Sequence, residues 1–146
     1  MSDLNTALLI AAKAHAGQKR SNGTPYILHP IRVMMKMNTE EEMIVAALHD
    51  TIEDSDTVDE NKFKTHGFSD RVITAVSTLT KIKGEDYEDY LNRVVDNKLA
   101  RRVKIADLQD NMNLAELPKV DDYVLKRAAK YHGALKFLQE AEATLG

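Results

Sequence analysis

Two histidines and two aspartates are the side chains of this sequence best suited to hold a metal ion. His49 and Asp50 are adjacent at the end of an apolar segment, where a charged carboxylate needs a partner or a cation to offset its desolvation. His29 follows a loop, and Asp107 lies in an otherwise apolar stretch. Each residue alone is better explained as a helix cap or a hydrogen-bonded core residue. Together, and without cysteine, they suit a borderline or hard divalent ion that keeps positions open for water and phosphate.

Two further acidic residues follow the His-Asp pair. Glu53 lies one helical turn beyond His49, and Asp54 lies one turn beyond Asp50, so the spacing places both carboxylates at the edge of the proposed metal site. Such carboxylates can orient or deprotonate a water molecule. The alternative is a solvated helix end, which the continuation of the acidic run to Asp56 also fits.

A cationic loop precedes the Leu-His-Pro segment. Lys19, Arg20 and Ser21 lie beside a Gly-Thr-Pro-Tyr turn, and such a rim suits a phosphorylated ligand, although an ordinary surface loop is the alternative. Asn111 is four residues after Asp107 on the same helical face, where it could hold a sugar or a base or be a plain surface residue. The Walker phosphate loop, the GxGxxG motif and the GxSxG motif are absent from the sequence.

Helices must position these residues, because apolar residues recur at helical spacing and no segment alternates as a strand does. Thr39 and Glu42 form a capping-box pattern, which predicts a third helix that carries LHDTIED at its C-terminal end. The sequence therefore predicts an all-α fold, a single helical bundle. The predicted helices cover about residues 3–16, 30–35, 39–54, 58–64, 69–79, 85–96, 99–118 and a last amphipathic stretch from 121.

Length and composition predict one domain over residues 1–146, since a chain of this size buries a sizeable core without disulfides. The formal net charge of −3 argues against a nucleic-acid partner. The absence of cysteine excludes thiol nucleophiles and Cys-ligated zinc. No apolar run approaches the roughly 20 residues that span a bilayer, and the N-terminus lacks a secretory pattern, so we expect a cytoplasmic protein with no membrane partner.

Three segments carry a family resemblance. In chain order they are AHAGQKRSNGTPYILHPIRV, AALHDTIEDSDT and VKIADLQDN, and they resemble the hydrolase domain of RelA/SpoT-type proteins, especially the stand-alone small alarmone hydrolases. The resemblance implies an HD-domain fold that uses one divalent ion per chain, usually Mn²⁺, to remove the 3′-pyrophosphate of ppGpp or pppGpp. The products would be GDP or GTP and pyrophosphate. The synthetase domain of the long family members is not recognisable, so no alarmone synthesis is expected.

The resemblance also implies roles for single residues. It implies four metal ligands, which are His29, His49, Asp50 and Asp107. It implies a catalytic acidic pair, Glu53 and Asp54. It implies that the nucleotide substrate lies against Arg20 and Ser21 at the guanine, Asn111 at the ribose or base, and Tyr131.

Two alternatives to alarmone hydrolysis stay open. The segments LQDN and GEDYEDYLNRV depart from the family pattern, so an HD-domain phosphohydrolase acting on another phosphorylated nucleotide or cofactor is the second hypothesis. A catalytically silent nucleotide-binding module is the third, and the intact HDTIED segment argues against it. Lys81, Lys83 and Arg93 are candidate phosphate contacts among which the sequence does not choose. It also leaves the physiological metal and the oligomeric state open.

Overall fold

A computed structural model describes residues 2–146 of the chain and contains only helices and loops over that range. The α-helices are α1 (Leu4–Ala14), α2 (Leu28–Met35), α3 (Glu40–Leu48), α4 (Thr51–Asp54), α5 (Glu60–Thr65), α6 (Asp70–Leu79), α7 (Tyr87–Val95), α8 (Lys98–Asn111) and α9 (Asp122–Leu145). A 3₁₀ turn, Leu114–Glu116, lies between α8 and α9. The predicted all-α fold is confirmed.

Side-chain caps fix where most helices begin. Asp3 accepts a hydrogen bond from the Thr6 backbone N–H at the start of α1, and Asp121 accepts one from Val124 at the start of α9. The predicted cap of α3 forms as well, since Thr39 accepts from the Glu42 N–H. Each cap satisfies an N–H group that the helix itself leaves without a partner.

Two predicted helix boundaries are wrong. The LHDTIED segment is not one continuous helix, because α3 ends at Leu48 and the backbone of Asp50 (φ −105°, ψ 1°) separates it from α4. The stretch predicted to stay helical from Leu99 to Pro118 ends instead at Asn111, and the chain then forms the separate 3₁₀ turn, capped by Asn113. At each break a side chain bonds to the backbone in place of the continuing helix. The Thr51 hydroxyl donates to the Leu48 carbonyl (2.7 Å), and the Asn113 side chain accepts from the Ala115 N–H (3.2 Å).

The core is formed around α3 and α8. Helix α3 buries a continuous apolar run, Ile44 to Leu48, because α1, α2, α6 and α8 surround it. Helix α8 contacts α2 and α3 on one side and α6, α7 and α9 on others. The small side chains Ala46, Ala47 and Ala106 are buried where these helices approach closely. Helices α2, α3 and α8 therefore meet at their polar residues as well as at their apolar ones.

The loop between α1 and α2 is held by its own backbone. The Tyr26 N–H donates to the Gln18 carbonyl (2.8 Å), and the Arg20 N–H donates to the Thr24 carbonyl (2.9 Å). Gly23 takes a φ of +85° at the tip, a conformation that favours glycine. In the stretch 2–146, no helix is both long enough and apolar enough to cross a bilayer.

Candidate metal centre and its two flanking clefts

Four side chains predicted as metal ligands lie together where α2, α8 and the α3–α4 junction meet. One donor atom from each of His29, His49, Asp50 and Asp107 lies within 4.8 Å of the others. The Asp107 Oδ1 atom is 2.7 Å from His29 Nε2 and 3.2 Å from His49 Nε2, and Asp50 Oδ2 is 3.1 Å from His49 Nε2. Donors around a divalent ion stand about 3 Å apart, so the separations fit one ion.

A hydrogen bond at Nδ1 orients each of the two imidazole rings. His49 Nδ1 donates to the Ala46 carbonyl (2.6 Å), and His29 Nδ1 donates to Asp110 Oδ2 (2.6 Å). A neutral ring that donates through Nδ1 carries its lone pair on Nε2, the atom that both rings direct toward the carboxylates. Burial opposes the charged form of His49, but Asp50 and Asp107 raise its pKa well above the ordinary value, so a proton and a metal ion compete for this nitrogen. The donor set therefore consists of two imidazole nitrogens and two carboxylate oxygens, which fits a divalent cation.

The carboxylates of this cluster are ionised despite their burial. Burial alone would raise the pKa of Asp50, but the neighbouring His49 lowers it to about 2. Burial also disfavours the charged form of Asp107, yet Lys104, whose Nζ lies 2.8 Å from its Oδ2 atom, holds the pKa of that carboxyl well below its usual range. One buried and one partly exposed negative charge, on Asp107 and Asp50, thus lie beside the two imidazoles.

The interruption between α3 and α4 is what directs His49 and Asp50 to the same point. In a continuous helix, neighbouring side chains diverge by about 100°. The Tyr26 hydroxyl donates to Asp50 across this junction, and burial with the adjacent Asp50 charge raises the pKa of the phenol, which stays protonated. Sequence reasoning missed Tyr26, although its GTPY turn was part of the motif.

The centre opens on one side into a cleft of about 180 Å³, called here the lysine cleft. Its lining includes Lys81, Lys104, Lys130, Glu53, Tyr87 and Tyr131. Glu53 accepts the Lys81 backbone N–H at 2.7 Å, and burial raises the pKa of Glu53 in spite of that bond. A carboxylate whose pKa is raised holds a proton more readily than an exposed one, which suits proton exchange with a reacting group.

Asp54 does not lie with Glu53. Its carboxylate accepts from Gln18 Nε2 at 3.1 Å and lies 3.8 Å from His15 Nδ1, on the side of α1 and its loop. It is not among the residues that line the lysine cleft. The two members of the predicted acidic pair therefore make different contacts, because consecutive residues on α4 point about 100° apart, although the charge of Asp54 still contributes to the raised pKa of Glu53.

A second cleft, of about 260 Å³, lies on the other side and is called the arginine cleft. Its lining includes Arg20, Ser21, Asp110, Asn111, Tyr26 and Arg127. Arg20 donates to Asp110 Oδ2 (3.0 Å) and to Asn111 Oδ1 (2.8 Å), and Asn111 Nδ2 donates to Asp107 Oδ1 (3.3 Å). Three of the predicted nucleotide contacts, Arg20, Ser21 and Asn111, share this cleft.

Tyr131, the fourth predicted nucleotide contact, lies in the lysine cleft instead. Helix α9 connects the two clefts, since Arg127, one turn before Tyr131, lines the arginine cleft. Of the three cations left open by the sequence, Lys81 lines the lysine cleft, and Arg93 is paired with Glu85 at 2.7 Å. Lys83 is exposed and lines neither cleft.

The HD-domain family model matches residues 7–136, and the chain belongs to that family. The chain is 36% identical over 120 residues to the guanosine-3′,5′-bis(diphosphate) 3′-pyrophosphohydrolase of Aquifex aeolicus, a match that covers 76% of this chain and 17% of the relative. It is 34% identical over 122 residues to the bifunctional (p)ppGpp synthase/hydrolase SpoT of Escherichia coli, covering 75% and 17%. The resemblance to RelA/SpoT-type hydrolases is confirmed.

A solved structure has the same fold. It is described as "A metazoan ortholog of SpoT hydrolyzes ppGpp and plays a role in starvation responses", and it superposes with a TM-score of 0.75 at 22% identity, covering 94% of this chain and 84% of that one. The matched region is about 17% of the length of the curated relatives. HD-domain hydrolases bind a divalent metal, which agrees with the donor set of the centre.

Proposed function

We propose that this chain, as a single HD domain over residues 1–146, hydrolyses the 3′-pyrophosphate of guanosine alarmones. The products are GDP or GTP and pyrophosphate. The names of the curated relatives support this substrate. The observation that carries the proposal is the buried two-histidine, two-aspartate cluster between two open clefts, one lined by lysines and one by arginines. A cytoplasmic location and a small-molecule rather than nucleic-acid partner belong to the same proposal.

In the proposed site, His29, His49, Asp50 and Asp107 hold one Mn²⁺ ion. When bound, such an ion would supply Lewis-acid chemistry and a more acidic water. The ligand carboxylates stay ionised because their pKa values lie below the usual range.

Glu53 is the proposed proton-handling residue at the centre. Its side chain is anchored by the Lys81 N–H, and its raised pKa suits a group that takes a proton from water and later gives it up. Asp54 supports the site from outside the cleft, through Gln18 and His15. The proposed role of Asp54 is therefore to position the loop of Arg20, and the acid–base work is left to Glu53.

The two clefts divide the substrate between them. The ammonium groups of Lys81, Lys104 and Lys130 line the side on which Glu53 lies, where they offset the charge of the phosphates that are released. The nucleoside lies in the arginine cleft, against the flat face of the Arg20 guanidinium and the amide of Asn111.

The test is a product measurement on purified, metal-stripped protein supplied with Mn²⁺. We expect pyrophosphate and GDP from ppGpp, with no release in the presence of chelator. Orthophosphate in place of pyrophosphate, or equal turnover in chelator, would contradict the proposal.

One observation favours a second candidate, a hydrolase with a broader nucleotide range. Both terminal nitrogens of Arg20 already donate within the protein, to Asp110 and Asn111. The guanidinium then offers a base mainly its face, and stacking distinguishes bases poorly. Comparable kcat/KM values for ppGpp and for an adenosine analogue with the same phosphates would favour this candidate.

A further inference from the structure

Asp110 is a buried carboxylate at the metal centre for which the proposed function has no use. Its Oδ2 atom accepts from His29 Nδ1 (2.6 Å), Arg20 Nη1 (3.0 Å) and Arg32 Nη2 (3.1 Å), and its Oδ1 atom accepts from Arg32 Nε (2.7 Å). The residue is 9% exposed. All of these bonds reach residues before α3, so Asp110 joins α8 to α2 and to the loop before it.

Two residues of α2 and two residues of α8 face each other at this contact. His29 and Arg32 are three apart on α2, and Asp107 and Asp110 are three apart on α8. Residues three apart lie on one face of a helix, so the α2 pair faces the α8 pair. His29 therefore stands between two carboxylates, with Asp107 near Nε2 and Asp110 at Nδ1.

A carboxylate behind an imidazole has a definite effect on a metal site. By accepting the Nδ1 proton it fixes the tautomer, directs the Nε2 lone pair at the metal and makes that nitrogen more basic. His49 has only a backbone carbonyl, that of Ala46, in the same place. The two imidazoles of the centre are thus supported unequally.

We propose that Asp110 is a positioning residue of the metal centre, which holds His29 in its metal-binding orientation while Arg20 and Arg32 hold Asp110. This inference rests on the metal site of the proposed function and not on the identity of the nucleotide. Because the same carboxylate binds Arg20, it also connects the metal ligand to the arginine cleft.

A purely structural ion pair is the competing explanation, and the chain offers a matched control for it. Glu142 is also a carboxylate held by two arginines, with 2.7 Å contacts to Arg101 Nε and to Arg102 Nε, but none of its hydrogen bonds reaches a candidate metal ligand. Glu142→Gln therefore breaks two arginine ion pairs, as Asp110→Asn does, but it changes no hydrogen bond to a histidine.

The experiment measures Mn²⁺ affinity by calorimetry on the metal-stripped full chain, without nucleotide, for the parent, Asp110→Asn and Glu142→Gln. We expect Kd to rise 10- to 100-fold in Asp110→Asn, the usual loss when such a partner of a metal-bound histidine is changed. Glu142→Gln stays within twofold of the parent. The number of Mn²⁺ ions bound per chain at saturation stays at the parent value in Asp110→Asn, which a general loss of structure would not allow.

Thermal unfolding of each metal-stripped variant shows whether it is folded. If Asp110→Asn is unfolded, Asp110→Glu, which keeps the charge, takes its place. The Kd of Asp110→Glu for Mn²⁺ should also rise. A Kd within twofold of the parent in the folded variant overturns the inference, as do equal losses in both variants or a parent that binds no divalent ion. A parent that binds Mn²⁺ but does not hydrolyse ppGpp contradicts the proposed function alone, because Kd is measured without substrate.

Discussion

Helix α8 carries two clusters of charged side chains that differ in how completely their charges are paired. Near its start, Arg101 and Arg102 pair with Glu42 and Glu142, at 2.7 to 3.2 Å, so that two positive and two negative charges are matched. This set is called here the arginine–glutamate cluster. Near the end of α8, Asp107 has a lysine contact at only one of its carboxylate oxygens.

At the metal centre, charges are left unmatched and the site is open. Asp50 Oδ2 and Asp107 Oδ1 face the two imidazoles and no arginine or lysine, and the lysine cleft opens beside them. A cluster whose charges are matched within the protein can stabilise the fold by itself, whereas carboxylates in excess need a cation from outside. On helix α8, the paired charges of the arginine–glutamate cluster therefore serve the fold, whereas the unpaired carboxylates of the centre suit metal binding.

The largest expected effect is the loss of a ligand. Asp107→Ala removes one carboxylate oxygen from the donor set, and we expect no bound Mn²⁺ and a fall in kcat/KM of about 10³-fold or more, since the metal contributes several kcal/mol to the transition state. Metal content and turnover are measured together, with His49→Ala as a second variant. Unchanged metal content in both variants would show that these residues do not bind the ion, and the metal centre would then not differ in function from the arginine–glutamate cluster.

A smaller effect is expected within the acidic pair. Glu53→Gln keeps the size of the side chain but loses its proton-accepting oxygen, so kcat should fall by roughly 10²-fold with normal metal content. Asp54→Asn should lower kcat much less, because Asp54 faces Gln18 and not the lysine cleft. Equal losses of metal and rate in Glu53→Gln would make Glu53 a ligand.

Substitutions in the arginine cleft should raise KM. Arg20→Lys and Asn111→Ala remove contacts that hold the nucleoside in both the ground and transition states, so KM should rise about tenfold while kcat changes little. Steady-state kinetics with ppGpp and with an adenosine analogue measure this. If both substrates lose equally, these residues do not recognise guanine.

The smallest catalytic effect belongs to the arginine–glutamate cluster. Glu142→Gln should leave kcat unchanged and lower the free energy of unfolding by about 1 kcal/mol, since Arg101 stays buried beside a neutral amide.

The same variant should change the pH dependence of stability. Burial opposes ionisation of Glu142, but Arg102 and Arg101 lower its pKa below the usual 4.5. Its contribution to stability is therefore present above about pH 4.5 and is lost as the pH falls through the lowered pKa. Urea unfolding between pH 3 and 6 should show a flatter pH dependence in Glu142→Gln than in the parent.

The residues of the centre were easier to predict than the direction in which they point. His49, Asp50 and Asp107 could be selected because buried charge beside apolar residues requires a partner. The break after Leu48 was not predicted, because the apolar periodicity continues through it; there the Thr51 hydroxyl donates to the Leu48 carbonyl at 2.7 Å, and the Tyr26 hydroxyl reaches Asp50 from a distant loop.

Two features of the site were not visible in the sequence. Glu53 and Asp54 make different contacts because they are consecutive on α4, and neighbouring helical side chains point about 100° apart. Asp110 was missed because the sequence presents it only as an unusual residue beside Asn111. Its importance arises from the packing of α2 on α8, which brings His29 and Arg32 to it.

The candidate ligands come from three distant stretches of chain, and His29 and Asp107 are 78 positions apart. The unfolded chain therefore has no comparable site, and an ion that binds only the native state acts by mass action as a reversible cross-link. At a free ion concentration of 100 times Kd, it would add about 2.7 kcal/mol to the free energy of unfolding. The melting temperature of this domain is then a property of the metal supply as much as of the polypeptide.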